Sequence, residues 1–442
     1  MKPDLSRRDF IKSSAAASAA IGASSFGILS AAPAGKTIKV AVIGCGGRGT
    51  GALQNCIDAG KAIGVDVQLV GAADAFQDRV DSVVQKFGLD PKKAFVGWDA
   101  YKKLLASTEA ELVLTAAPPG FRPVHVEAII NAGKHLFAEK PVGVDAPGIR
   151  RIIAAGEKAK EKGLSIVAGT QRRHQNVYLE NAARIAKGAI GKILGGVVQW
   201  NGQIPWIYKR KDGESDADYM ARNWLNFTEL SGDHIVEQHV HNLDVACWLL
   251  GRPPESALGF GGRHRRVTGN QYDFFSIDYD FGDGVHIHGQ CRQIAGCANA
   301  VTEFFRGTEG EVIPGGKLTG KDVSVPEFKG HDNPYVQEHI DLINSIFDKK
   351  PLNEAKQVAE STLTAIMGRI SAYTGQKVRW VDLMEPTAKS PLYDMVLSPN
   401  PEDFEKGTVK APADDVIAHP GKEGDIHLKG EAKPQKGKKK RN

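Results

Sequence analysis

From Thr37 onward the chain alternates two hydrophobic periods. The apolar runs TIKVAVIG (ending at Gly44), VQLVGAAD (Asp74), AELVLTAAP (Pro118), KHLFAEK (Lys140) and LSIVAG (Gly169) read as buried strands. Between them AFQDRVDSVVQKFG, FRPVHVEAIINAG and APGIRRIIAAGEKAKEKG carry apolar residues at helical spacing. Strands alternating with helices of this length predict a parallel, doubly wound α/β sheet over residues 35–168. Past Gly169 the order changes. KILGGVVQW, FFSIDYDF, GVHIHGQCR and AVTEFFRG follow one another, with turns such as Gly282-Asp283-Gly284. They predict an α+β domain over 169–385 with a largely antiparallel open sheet. A helix at 233–250 and two late helices, YVQEHIDLINSIF and AKQVAESTLTAIMGRISAYTG, would cover that sheet. From Pro386 to Asn442 the chain lacks periodicity and reads as an irregular tail with a basic end.

One stretch of the second domain, SGDHIVEQHVHNLDVACWLLG (231–251), concentrates polar chemistry. Asp233 suits an N-cap, Gly251 a C-terminal glycine, and Pro253 follows. Val236, Val240, Leu243, Cys247 and Leu250 recur at spacings of four and three, so the segment reads as one helix. At about 100° per residue, His234, Glu237, His241, Asp244 and Trp248 share another face, and His239 points away from it. Glu237 and His241, four apart, would then hydrogen-bond, the carboxylate orienting the imidazole for acid–base work. Two other readings stay open: His241 as a satisfied core histidine, and His234, Glu237 and His241 as metal ligands. His239 reads as structural.

VAVIGCGGRGTG places Gly44-x-Gly46-x-x-Gly49 between the first strand and the first helix, with Gly47 and Arg48 inside the loop. In that context the glycines permit a tight turn, close approach of a pyrophosphate and close helix packing, the hallmark of a Rossmann dinucleotide site. Asp74, ending the second strand, would accept from ribose hydroxyls and repel a 2′-phosphate. NAD is the expected cofactor, and Arg79 leaves NADP open.

The N-terminus changes where this chemistry happens. SRRDFIK (Ser6–Lys12) precedes an Ala/Ser-rich run and the small residues Ala32 and Ala34, a twin-arginine signal over 1–34 cleaved after Ala34. That run is too weakly apolar to be a stable membrane anchor, so an exported, periplasmic or extracytoplasmic protein is expected. The net charge is +5. Residues 1–34 hold four basic and two acidic side chains and residues 431–442 hold six and one, leaving the body near −2. That is no footprint for nucleic acid. Five cysteines without a CxxC pair imply a core that needs no disulfide.

With AEKPVG (138–143) set beside the 233–250 segment, the chain resembles the Gfo/Idh/MocA family of NAD(P)-dependent sugar and inositol dehydrogenases. The resemblance spans 37–381. It rests on the glycine loop, TAAPPGFRPVHVEAIINAGKHLFAEKP, GAIGKI (188–193), HNLDVACWLLG and AYTGQKVRW. It implies that Lys140 is the active-site lysine and that His241 is the histidine of an Asp-x-x-x-His pair. Here Glu237 stands where Asp is usual, and His239 where Gly is common. It adds Pro118, Glu139 and Lys140 to the cofactor-binding set. The implied chemistry is oxidation of a secondary alcohol of a sugar or glycoside. His241 would act as base, Lys140 would hold the reacting oxygen, and Glu237 would orient His241. Arg173, Tyr178, Trp206 and Trp224 are the candidate substrate-binding residues. Export in folded form implies a tightly bound cofactor regenerated in place, by a dehydrogenase or by a redox-neutral glycosidase working through a 3-keto intermediate. A catalytically idle binding protein is the reading from another class. The export machinery is an expected partner, and a homo-oligomer, dimer or tetramer, is expected through an exposed sheet face.

Overall fold

The computed structural model describes residues 35–397, 399–414 and 416–421, and the backbone of 428–429. The twin-arginine run, its cleavage point and the basic end lie outside the described residues.

Six strands form the first sheet: β1 (Thr37–Ile43), β2 (Asp66–Asp74), β3 (Ala94–Val96), β4 (Leu112–Thr115), β5 (His135–Ala138) and β6 (Ile166–Ala168). All pair in parallel, in the order β3-β2-β1-β4-β5-β6. The order reverses between β1 and β4, which opens a crevice at their carboxyl ends, where doubly wound sheets bind ligands. Both faces of such a sheet must be covered, and the near-continuous apolar strands reflect it: Val40, Val42, Leu112 and Leu114 are fully buried.

The second sheet contains β7 (Ile193–Gly202), β8 (Ser256–Gly262), β9 (Phe274–Asp280), β10 (His286–Gln293) and β11 (Ala300–Gly307). Three two-residue strands complete it: β12 (Glu311–Val312), β13 (Leu318–Thr319) and β14 (Val378–Arg379). Its order is β13-β12-β11-β7-β10-β9-β8-β14, and only the β7–β10 pair is parallel. The architecture is therefore an α/β Rossmann unit followed by a mixed, largely antiparallel sheet.

Three local expectations change. The helix expected over 233–250 is two helices, His234–Glu237 and Val240–Leu250. Asp233, at φ 72°, starts the first one, held by bonds from the Tyr272 amide (3.0 Å) and the Tyr373 hydroxyl (2.5 Å). Gly251, at φ 68°, ends the second as expected. Next, the helix Pro334–Phe347 does not cover the second sheet. Its Val336, Leu342 and Ile343 join the first sheet's core beside Val40, Leu53 and Phe137. The helix Ala355–Thr374 does lie on β8 and β9. Third, the stretch from Pro386 is irregular but packed: Leu397, Phe404, Val409 and Ala418 are buried. All five cysteines are free. Among the described residues no helix is long and apolar enough to cross a membrane.

Candidate active site

The cofactor side is built by the β1 turn. Gly44 sits at φ 89°, and a Cβ there would lie 2.5 Å from the Ala117 amide nitrogen. A Cβ on Gly49 would fall 1.7 Å from the Gly44 carbonyl oxygen. Gly46 and Gly47, by contrast, face open space at the start of the helix Gly47–Ile63. Two glycines make the turn possible and two leave room for a ligand against unpaired helix amides. Asp74 braces the loop: its carboxylate accepts from the Cys45 amide (2.7 Å) and the Phe76 amide (3.0 Å). Burial raises its pKa and those two amides pull it back.

A cleft of about 550 Å³ opens in front of this loop. Asp74, Arg79 and Pro118 line it from the first domain, and Trp206 and Trp224 from the second. The two tryptophans meet edge to face at 6.0 Å. Expected to bind substrate, they line the same cleft as the glycine loop and Asp74. Arg48 also lines the cleft, with its guanidinium bonded to Glu139 and 3.5 Å from Glu338. Glu139 lies against Gly169, where a Cβ would be 2.7 Å from its carboxylate.

Lys140, just past β5, reaches the second domain. Its Nζ donates to the Glu237 carbonyl (2.6 Å) and to Glu237 Oε1 (3.0 Å), and both side chains are largely buried. The carboxylate that was expected to orient His241 thus serves Lys140. The reason is the break at Gln238–His239, which removes the helical stacking of residues four apart. His241 instead lies nearly parallel to the Trp200 ring, centroids 5.5 Å apart. Burial, then the charges of Lys140, Arg172 and Arg48, hold its imidazole well below the usual histidine range, so it is neutral.

The candidate substrate residues divide. Arg173 is buried in a two-pronged pair with Asp244 (2.8 and 2.9 Å), which also accepts from Ser361 (2.7 Å). It is a strut between helices and does not face the cleft. Its neighbour Arg172 faces His241: it bonds Glu303 and lies over Trp200 and Tyr178, 5.9 and 5.8 Å from the ring centroids. Glu303 also accepts from Tyr178 Oη (3.1 Å) and Asn242 Nδ2 (2.7 Å). Arg172, Trp200, Asn242 and Glu303 were missed. An Arg-Arg pair in an irregular segment carries no periodicity to say which member points inward. Trp200 shares its face of β7 with Gly196, Val198 and Gly202, and Glu303 lies on a strand with polar residues on both faces, so neither pattern marks a site.

The metal alternative does not assemble. His234 Nδ1 bonds Asp233 (2.8 Å), Glu237 goes to Lys140, and among the described residues no group of three His, Cys, Asp or Glu is placed to hold an ion. His239 is buried near Tyr279 and β10, where Gly289 leaves space for its ring.

Two family models cover most of this architecture. The oxidoreductase family, NAD-binding Rossmann fold, of the GFO/IDH/MocA group matches residues 38–168, and the GFO/IDH/MocA C-terminal domain matches 178–313. A twin-arginine translocation signal matches residues 4–24. The chain is 24% identical over 306 residues to a scyllo-inositol 2-dehydrogenase (NAD(+)) of Bacillus subtilis strain 168, covering 66% of this chain and 78% of the relative. It is 28% identical over 187 residues to a 2,7-anhydro-N-acetylneuraminate hydratase of Escherichia coli K12, covering 41% of this chain and 45% of the relative. In three dimensions it resembles the WlbA dehydrogenase of Bordetella pertussis, solved with NADH and UDP-GlcNAcA, with a TM-score of 0.62 and 18% identity. That match covers 78% of this chain and 99% of the other.

Proposed function

The chain belongs to the Gfo/Idh/MocA family of NAD-binding oxidoreductases, and from that premise we propose that it oxidises a secondary hydroxyl of a sugar, glycoside or cyclitol, with His241 as base and Lys140 assisting. The observation that carries this reading is a neutral, buried imidazole within electrostatic reach of an ammonium that is tied across the domain boundary.

The glycine loop, the open space before Gly46 and Gly47, and Asp74 fit a dinucleotide. Asp74 favours NAD, because a 2′-phosphate would meet its carboxylate. When bound, NAD supplies a hydride acceptor at the nicotinamide. Every other task falls to side chains. A neutral ring nitrogen of His241 takes the hydroxyl proton, and stacking on Trp200 restrains the ring plane. Lys140 Nζ has three donors, two of them engaged by Glu237, which leaves one for the reacting oxygen as charge builds there. Glu237 is the positioning residue for Lys140. Its second oxygen, Oε2, is buried without a partner among the described residues and suits a substrate hydroxyl. Arg172, fixed by Glu303, offers further donors to hydroxyls around the ring.

The twin-arginine signal supports work outside the cytoplasm, with a cofactor loaded before export and retained. Exposed Leu194, Leu258, Phe260 and Val301 on strands of the second sheet support association of copies. Because one relative is named a hydratase, a reaction without net redox, such as glycoside cleavage through a transient ketone, is the second reading. Incubating the purified protein with sugars and glycosides separates the two. A keto product with reduced nicotinamide points to the dehydrogenase, and a free reducing sugar with unchanged cofactor points to the lyase-like route. Lys140→Ala should lower kcat/KM by about 10²-fold or more with the dinucleotide still bound. Full turnover in that variant would sink the assignment.

A further inference from the structure

The molecule has a third apolar core that neither sheet explains. It gathers Ala117 and Phe121 from the first domain, Met220 and Phe227 from the second, and Phe404 and Val409 from the C-terminal stretch. Phe76, Trp98, Tyr208 and Trp224 pack at its edge, and all four also line the dinucleotide cleft. Trp98 is the hinge of this arrangement. Its ring centroid lies 5.9 Å from Phe76, 6.1 Å from Phe121 and 5.2 Å from Phe404. The wall that faces the cleft beyond Asp74 is therefore backed by a residue more than 300 positions away in sequence.

We propose that this cluster is a cofactor clamp: the 206–224 segment and the C-terminal strap ending at Ala418 close over the adenosine half of the bound dinucleotide, which leaves only when they open. The proposal rests on the NAD-dependent reading and adds the device that retains the cofactor.

Two fasteners hold the clamp shut. From the second domain, Arg222 donates to both oxygens of Asp78 (2.7 and 3.2 Å), and its guanidinium lies 3.9 Å from the Phe76 ring centroid. Asp78 opens the helix that follows Asp74, so this pair bridges the two domains at the adenosine end of the cleft. From the strap, Glu405 accepts from Tyr101 Oη (3.1 Å) and pairs with Lys102 (2.6 Å), both in the first domain. Farther on, Asp414 accepts from the Gly269 amide (2.7 Å), and the Ala418 carbonyl accepts from Tyr272 Oη (2.8 Å), both in the second. The strap is thus tied to one domain, crosses the apolar cluster through Phe404, and is tied to the other. It lies beyond residue 313, where the second family model ends. The chemistry it offers matches one ligand part: flat aromatic faces for a purine, beside a carboxylate for its ribose.

The test measures release without turnover. The full exported chain is loaded with NAD tritiated in the adenine and then mixed with excess unlabelled NAD. Loss of bound label is followed for the wild type, Phe404→Ala and Arg222→Ala. Phe404→Ala removes the strap's contact with Trp98, and Arg222→Ala opens the domain bridge while leaving the apolar core intact. The wild type should hold its label, with exchange faster by at least about tenfold in Phe404→Ala and severalfold in Arg222→Ala. Arg222→Ala keeps the test decisive if the core variant misfolds. Equal exchange in the wild type and Arg222→Ala, whatever Phe404→Ala does, overturns the clamp and leaves the redox reading standing. A wild type that releases no nicotinamide on denaturation and takes up no label overturns the redox reading itself.

Discussion

His241 is held neutral chiefly by burial, then by three cations, and among the described residues no carboxylate is paired with it to lift it back. As the proposed base it loses activity only when protonated, so the acid limb of kcat/KM should fall well below the range of a free histidine. Removing one of those cations relieves the repulsion. Arg172→Gln should move the acid limb to higher pH, because the imidazolium then forms more easily; a limb that stays put would mean that Arg172 does not face the base. Helical spacing singled out His241, with a core histidine left open, and Lys140 stood out only through the resemblance. Taken alone, a lysine before a proline has no distinguishing pattern. Arg173 shows the limit most clearly. Two adjacent arginines are equivalent as text, yet Asp244 takes one into the core and Glu303 aims the other at the site.

At the level of elements, most strands and helices were legible because burial imposes period on them. The 231–251 stretch was not fully so. In the helix Val240–Leu250 the supposed polar face is buried as completely as the apolar one, with His241, Asn242 and Asp244 all inside. A stripe then marks helical spacing but does not reveal a break. The break falls at Gln238–His239, and the short helix before it starts at Asp233, held at positive φ by the Tyr272 amide and the Tyr373 hydroxyl, contacts that no local pattern encodes. Its consequence is chemical: Glu237 serves Lys140. Glu237→Gln should therefore lower kcat by about tenfold or more, since Lys140 loses its charged partner. The acid limb assigned to His241 should stay where it is. A downward shift of that limb would restore the older picture of a Glu237–His241 pair.

The whole molecule is less divisible than its two-domain sequence suggested. The helix Pro334–Phe347 returns to the first sheet, and the strap ties both domains at the cleft. Neither was legible, because an amphipathic helix does not say which sheet it covers and a single buried Phe404 has no period. The domain boundary also carries a titrating group. Glu229, in the short helix Thr228–Ser231, packs against the Pro119–Phe121 turn and is almost wholly buried. Burial raises its carboxyl to about 7, and two bonds from Asn270 Nδ2 (2.8 and 3.0 Å) only partly oppose that. In the unfolded chain a glutamate titrates near 4.3. Between those values the folded protein binds the proton and the unfolded chain does not, so stability from this group is full below about 4.3 and is lost as pH rises through 7. Glu229→Gln, which stays neutral, removes that dependence. The variant should match the wild type near pH 4 and be more stable above pH 7, by up to about 3 kcal/mol. Unfolding of the two proteins measured side by side from pH 4 to 8 reads this directly. A constant difference across that range would mean that the junction carboxylate is already ionised in the folded protein, its charge balanced by Arg369 and Asn270.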